Sequence, residues 1–281
     1  MPMDAHARRL RGIGMVLELL RNRWTYSVVV TLLESPLDGR QLLAGINEGA
    51  ARNADLAAVR VLHPNVLLTR LRQMAEEGLL LARHPGADVG DGPDLWELTA
   101  EGKELFHSLH RMTAWATGHR TCLTTALRRH RQGSGCGQPP TWGPVLTPEQ
   151  ERRRGTGMVL EVLRPRWAFA ILCQLSHGPQ QPTGVTEAVN AGVVRNRDLT
   201  GPRRLSEKVF WDTLHRLVDA GLVVHRPRPG QIASTARCTL TPAGHELLAA
   251  LGPVGEWAVE HEDRLLVIVR RRRGLSDRHG M

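Results

Sequence analysis

Residues Gly12–Trp24 read GIGMVLELLRNRW, and residues Gly155–Trp167 read GTGMVLEVLRPRW. Ten of these thirteen positions are identical, at a sequence offset of 143. Self-similarity at a fixed offset indicates an internal repeat, and a repeat much longer than the roughly 20–50 residues of solenoid units indicates a duplicated domain. The sequence therefore predicts two copies of one fold within a single chain.

Identical residues keep the two copies in register further along the chain. They are Asn47, Gly49, Arg52 and Asn53 with Asn190, Gly192, Arg195 and Asn196, and Leu98, Thr99 and Gly102 with Leu240, Thr241 and Gly244. The offset falls from 143 to 142 between these groups, which indicates a deletion in a loop or hairpin. We expect one domain over 10–131, a second over 150–272, and a Gly/Pro-rich linker over 132–149.

Hydrophobic spacing and cap residues predict the same order of elements in both copies. In the first copy, Pro64 suits the first turn of a helix and Gly78 its end. The elements predicted there are helices 15–20, 23–33, 41–46 and 64–77, strands 79–83 and 94–98, and a long last helix capped by Thr99. The matching strands of the second copy are 222–226 and 236–240.

This order predicts a mainly α fold with small β-hairpin wings. Two short helices followed by a hairpin form the winged helix-turn-helix arrangement, in which the second of these helices reads DNA. The helices that begin at Pro64 and near Ser206 are the predicted reader helices. The duplication then predicts two tandem winged helix-turn-helix domains that form a pseudo-dimer.

A family resemblance rests on four segments of the first copy and their counterparts in the second. The segments are Arg23-Trp24-Thr25, Leu62-x-Pro64-x-Val66-Leu67-x-x-Arg70-Leu71-Arg72, Glu76-Glu77-Gly78-Leu79 and Trp96-x-Leu98-Thr99-x-x-Gly102. On these residues the chain resembles the HxlR-type branch of the winged-helix regulators, close to the MarR group. The resemblance implies a DNA-binding transcriptional regulator.

The chain departs from that family pattern in three places. Gly12, Gly14 and Met15 stand where family members often carry a Cys-Pro sensor pair. Segments 47–61 and 190–204 resemble an insertion before each reader helix. Leu68 and Trp211 occupy the family's small polar position, and Glu207 and Asp212 place anions on the second reader helix, where they would repel phosphate.

The net charge of +9 arises from 37 Lys and Arg against 28 Asp and Glu, and only Lys103 and Lys208 are lysines. Arginine makes two-pronged contacts with phosphate and guanine, so this bias suits nucleic acid. A GC-rich genome produces the same bias, and both explanations stay open.

Double-stranded DNA is the partner that the resemblance implies, and its contacts are expected from the reader helices and wings. The reader-helix candidates are Asn65, Thr69, Arg70 and Arg72 in the first copy and Ser206, Lys208, His215 and Arg216 in the second. The wing candidates are Arg83, His84, Arg226 and Arg228. The alternative for each is a solvated surface without a DNA role.

A second hypothesis is a winged-helix scaffold that binds a small aromatic or hydrophobic ligand, with little or no DNA binding. Leu68 and Trp211 motivate it, because they are apolar on faces predicted to be polar. Arg52 and Arg195 are further candidates for contact with DNA or a ligand, since simple core packing does not explain why their polar segment recurs in both copies. The alternative is a structured loop capped by Asn and Asp. Both hypotheses hold together in a ligand-responsive regulator that acts as a monomer or a homodimer.

No catalytic role, cofactor or metal is predicted. The 13 histidines are scattered, and Gly12-x-Gly14 lacks the rest of a dinucleotide-binding fingerprint. The four cysteines form no C-x-x-C pair. No signal peptide or membrane-spanning stretch is recognisable, so we expect a cytoplasmic protein.

Overall fold

The computed structural model describes residues 4–53, 61–83, 94–132, 146–196, 203–227, 229 and 232–274. Over these residues the protein is mainly helical, with two small antiparallel sheets. Within the described part of the chain, no helix has the length and apolar character needed to cross a membrane.

The first copy contains seven described helices and a three-stranded sheet. Its elements are α1 (Ala5–Leu19), α2 (Arg23–Leu32), β1 (Leu37–Asp38), α3 (Gly39–Arg52), α4 (Pro64–Glu76), β2 (Leu80–Arg83), β3 (Leu95–Leu98), α5 (Ala100–Ser108), α6 (His110–Gly118) and α7 (Arg120–Gln132). The strand order is β1-β3-β2, and Trp96 of β3 pairs with both Leu37 and Ala82.

The second copy repeats this order with a two-stranded sheet. Its elements are α8 (Pro148–Leu163), α9 (Ala168–Leu175), α10 (Pro182–Arg195), α11 (Glu207–Asp219), β4 (Val223–His225), a 3₁₀ turn (Ala233–Thr235), β5 (Cys238–Leu240), α12 (Pro242–Ala250), α13 (Gly252–Glu260) and α14 (Glu262–Arg272). An isolated bridge between Gln180 and Cys238 stands where β1 pairs in the first copy.

The predicted cap residues are confirmed. Pro64 begins α4, and the Thr99 and Thr241 hydroxyls accept hydrogen bonds from the backbone N–H groups of Gly102 and Gly244. Such caps satisfy backbone donors that the first helical turn leaves without partners. The cap residues themselves therefore determine where these helices begin in both copies.

Three predicted element boundaries are wrong. The first helix begins at Ala5 rather than near Met15, and α3 extends through Arg52 rather than ending at Ile46. The long last helix of the first copy is three helices, interrupted at Leu109 and His119. Its counterpart in the second copy is divided in the same way.

The interface between the two copies contains the same pair of helices twice, once in each direction. Helix α1 packs on α13, and α8 packs on α6, which are matching pairs under the repeat. A Cβ atom added to Gly12 would lie 2.7 Å from the Ala258 Cβ atom, and one added to Gly155 would lie 3.1 Å from the Ala116 Cβ atom. A larger residue at Gly12 would force the helices apart, and one at Gly155 would require a smaller adjustment, so these glycines permit the close helix approach.

Charged contacts between the copies are reciprocal as well. The His119 imidazole lies 3.5 Å from the Glu246 carboxylate, and the matching His261 lies 3.8 Å from Glu104. Arg129 of α7 lies 3.6 Å from Asp219 at the end of α11. At the matching positions, Arg271 of α14 lies 3.8 Å from Glu76 at the end of α4. The buried apolar side chains of both copies form one continuous core.

Candidate nucleic-acid interface

Helix α4 has one buried side and one exposed side. Leu67, Leu71 and Met74 are buried, as their helical spacing predicts. Asn65, Leu68, Thr69 and Arg72 are exposed. The Thr69 hydroxyl donates to the Asn65 carbonyl, so this threonine is partly engaged by its own helix. The exposed side therefore offers an amide, a guanidinium and an apolar side chain to a partner.

Arg70 does not lie on that exposed side, and its prediction as a DNA contact is wrong. Its side chain is 3% exposed, and it donates hydrogen bonds of 2.5 Å to the Thr25 hydroxyl and 2.7 Å to the Gln73 side chain. Its position three residues after Leu67 places it on the buried face. Burial lowers the pKa of Arg70 to about 10, so it stays charged at neutral pH.

Arg70 belongs to a buried charge cluster that joins the two copies. The Glu77 carboxylate accepts hydrogen bonds of 2.5 Å and 2.7 Å from Arg272 of α14 and lies 3.8 Å from Arg70. Arg264 donates a further bond of 2.9 Å to the Glu77 carbonyl. The cluster holds the end of α4 against the last helix of the other copy.

The sequence carries one signal of this cluster. At the matching positions the second copy has Thr213 in place of Arg70, and Ala220 in place of Glu77. An arginine and a glutamate that appear together in one copy, and are both replaced by small side chains in the other, indicate a charge pair.

Helix α11 is the counterpart of α4, and its outer side is more acidic. Lys208 and His215 are exposed, but so are Glu207 and Asp212. Ser206 caps the helix by accepting from the Val209 backbone N–H, so its hydroxyl has a structural role.

Two further side chains of α11 are partly covered by protein. Arg216 is half-buried, and desolvation lowers its pKa. The Trp211 ring lies 5.4 Å from the His225 ring and 5.9 Å from the His215 ring. These contacts pack Trp211 against its own copy, and its side chain remains partly exposed.

The hairpin candidates are only partly described. Arg83 is exposed, and its Nε atom donates a 2.6 Å hydrogen bond to the Glu97 carboxylate. Arg226 is exposed in the second copy. His84 and Arg228, the other two predicted wing contacts, lie outside the residues that the structure describes.

Part of the repeated polar segment before α4 and α11 has a structural role. The Asn47 side chain exchanges hydrogen bonds of 3.1 Å and 2.7 Å with the Leu62 backbone, and Asn190 does the same with Leu205 at 3.1 Å and 2.8 Å. These bonds fix where the chain enters α4 and α11.

The two arginines of this segment have different surroundings. Arg52 pairs with Glu48 at 2.5 Å, whereas Arg195 is exposed at the end of α10. Neither arginine lies in the core.

Among the described residues, no group of three or more His, Cys, Asp and Glu side chains could hold a metal ion. Comparison of the chain with protein-family models, curated proteins and solved structures finds no match.

Proposed function

We propose that this protein is a DNA-binding transcriptional regulator built from two tandem winged helix-turn-helix domains that pair as an intramolecular pseudo-dimer. The proposal rests on one order of secondary-structure elements that occurs in both copies. In each copy, a helix with an exposed polar side is followed directly by an antiparallel hairpin. A helix so placed is the element that enters the major groove in helix-turn-helix proteins.

In this proposal α4 is the principal reader helix. Arg72 would contact a phosphate or a guanine edge, and Asn65 an adenine edge, since these pairings match donor and acceptor geometry. Lys208 and His215 of α11 would make the second set of contacts, weakened by the nearby carboxylates of Glu207 and Asp212.

The pairing of the copies is supported by their reciprocal contacts. Each copy supplies the same surfaces to the other, as in the two-fold interface of a homodimer. In helix-turn-helix dimers such a pairing spaces the two reader helices about 34 Å apart, or one turn of DNA. One chain would then occupy a complete two-half-site operator.

Fluorescence anisotropy with labelled DNA from the region upstream of the coding sequence tests this proposal. We expect binding that weakens steeply with salt, because phosphate contacts release counterions. Replacing Arg72 by alanine should weaken binding by roughly 5–150-fold, the range for one good base contact of about 1–3 kcal/mol. Arg111→Ala, which removes an exposed arginine on α6, is the matched control and should bind normally. Absence of binding at low salt, or equal loss in both variants, contradicts the proposal.

The second candidate function is a ligand-binding scaffold with little or no DNA binding. The exposed carboxylates on α11 and the half-buried Trp211 favour it, because both are unfavourable or unusual on a DNA-reading face. The same titration separates the two functions, since this candidate predicts little or no salt-dependent DNA binding.

A further inference from the structure

A set of four arginines and one glutamate occurs twice in the chain, at matching positions of the repeat. The two sets are Glu18, Arg21, Arg166, Arg203 and Arg273, and Glu161, Arg164, Arg23, Arg60 and Arg131. The charges of Arg70 and Glu77, by contrast, are absent from the second copy. We call the first set, which the structure describes in full, the arginine cluster.

The arginine cluster joins the end of α1 to three segments of the second copy. The Glu18 carboxylate accepts a 2.9 Å hydrogen bond from Arg273 and lies 3.1 Å from Arg21, so two arginines share one carboxylate. The Nε and Nη1 atoms of Arg273 are buried without a hydrogen-bond partner among the described residues. Arg203 is exposed and lies just before α11. The three arginines therefore carry more positive charge than Glu18 balances.

The pKa values of the cluster indicate that its guanidiniums lie close together. Desolvation lowers the pKa of Arg166 to about 10, and repulsion by the arginines at 273, 21 and 203 adds to this shift. Desolvation also lowers the pKa of Arg21, and Arg273 and Arg203 again contribute repulsion. An anion beside the cluster would relieve this repulsion, and the planar fork of arginine matches the oxygens of a phosphate.

The cluster lies between the starts of the two reader helices. Arg21 lines one cleft together with His63 and Val66 at the start of α4, and Arg164 of the second set lines the same cleft. Arg203 leads into α11. In helix-turn-helix dimers the starts of the reader helices enter successive major grooves. The DNA between two such grooves presents its minor groove, edged by phosphates of both strands, to the protein.

We propose that the arginine cluster binds backbone phosphates of the DNA at the centre of the operator, beside the minor groove between the two half-sites. Arg21 and Arg203 make these contacts, because Arg273 is only 15% exposed and instead holds Glu18 in place. The inference rests on the proposed DNA binding and adds a contact that carries no sequence information. Such a contact is the same for both half-sites, which accounts for the recurrence of the set although the outer sides of α4 and α11 differ.

The test variant is Arg21→Ala/Arg203→Ala. Glu18 keeps its hydrogen bond to Arg273 when Arg21 is removed, and Arg203 is exposed, so this variant should fold. The matched control is Arg111→Ala/Arg120→Ala, which removes the same charge from exposed positions on α6 and α7. Thermal melting checks that both variants are folded.

Fluorescence anisotropy at several salt concentrations gives the slope of the logarithm of affinity against the logarithm of salt concentration. Each lost phosphate contact reduces this slope by about 0.9, so we expect the slope of the test variant to be about two units shallower than that of the parent protein. The control should keep the parent slope. An unchanged slope in the test variant, or an equal change in the control, overturns the phosphate site.

The single variant Arg203→Ala repeats the measurement at an exposed position that does not contribute to the core. Its slope should be shallower by about 0.9. If Arg21→Ala/Arg203→Ala unfolds early, this variant decides the question, and a parent-like slope then refutes the site.

An unrelated duplex of the same length separates phosphate contacts from base contacts. We expect the test variant to lose affinity by the same factor on the upstream duplex and on the unrelated one, because phosphate contacts are independent of sequence. A loss confined to the upstream duplex overturns the phosphate assignment. A parent protein that binds neither duplex at low salt overturns the proposed function together with this site, whereas normal binding by both parent and test variant overturns the site alone.

Discussion

Replacing Glu77 by alanine is expected to destabilise the whole protein, because this carboxylate neutralises two buried arginines. Glu77 is 5% exposed, and it receives two hydrogen bonds from Arg272 at 2.5 Å and 2.7 Å. Arg70, itself buried, lies 3.8 Å away. Removing the carboxylate would leave both guanidiniums without their shared counter-charge.

The size of the effect follows from the burial of the partners. Removing one member of a buried ion pair costs about 3–5 kcal/mol, mostly because the remaining charge stays desolvated. A loss of that size should lower the melting temperature of a chain this long by on the order of 10 °C. The second copy carries Ala220 at the matching position and no arginine at position 213, so alanine itself is compatible with the backbone.

Urea unfolding of the parent protein, Glu77→Ala and Glu76→Ala measures the effect. Glu76 is the matched control, because its carboxylate is 63% exposed and lies 3.8 Å from Arg271. Its loss should cost less than about 1 kcal/mol. In a double-mutant cycle, Arg272→Leu should recover part of the loss in Glu77→Ala, because it removes one uncompensated charge. A Glu77→Ala effect no larger than that of Glu76→Ala would refute this reasoning.

Two further predictions concern the interface between the copies and the buried thiols. Gly12→Leu should lower the free energy of unfolding by more than about 2 kcal/mol, because its side chain would overlap Ala258. Gly14→Leu should be tolerated, because a Cβ atom there would meet no other atom within 4 Å. Similar urea unfolding curves for the two variants would contradict the close packing of α1 on α13. Burial raises the pKa of the half-buried Cys173 to about 12, so iodoacetamide should modify the exposed Cys122 far faster than Cys173. Peptide mass mapping that shows equal rates at the two cysteines would contradict this prediction.

The parts of the fold that follow local rules could be predicted from the sequence. Pro64 begins its helix and Thr99 and Thr241 cap theirs, because these residues satisfy or avoid the backbone donors of a first helical turn. The hairpins also lie close to their predicted bounds, since alternating apolar residues flank a segment rich in turn formers.

Features that depend on distant partners could not be predicted in this way. The sequence predicts Arg70 as a DNA contact, but the structure buries it beside Glu77, which Arg272 from far along the chain also contacts. The helix break at Leu109 has no proline or glycine at that position, so local propensity does not predict it.

The contact between α2 and α8 is a further feature of this kind. It joins the Tyr26 hydroxyl to the Arg153 carbonyl, from residues 127 positions apart, and no local pattern brings them together.

The central claim is that one chain presents two reader helices to one DNA site. Hydroxyl-radical footprinting, with the stoichiometry measured by sedimentation of the same complex, tests it most directly. We predict one chain per duplex and two protected segments on the same face of the DNA, about one helical turn apart. Protection of a single segment, or a requirement for two chains per site, would contradict the claim.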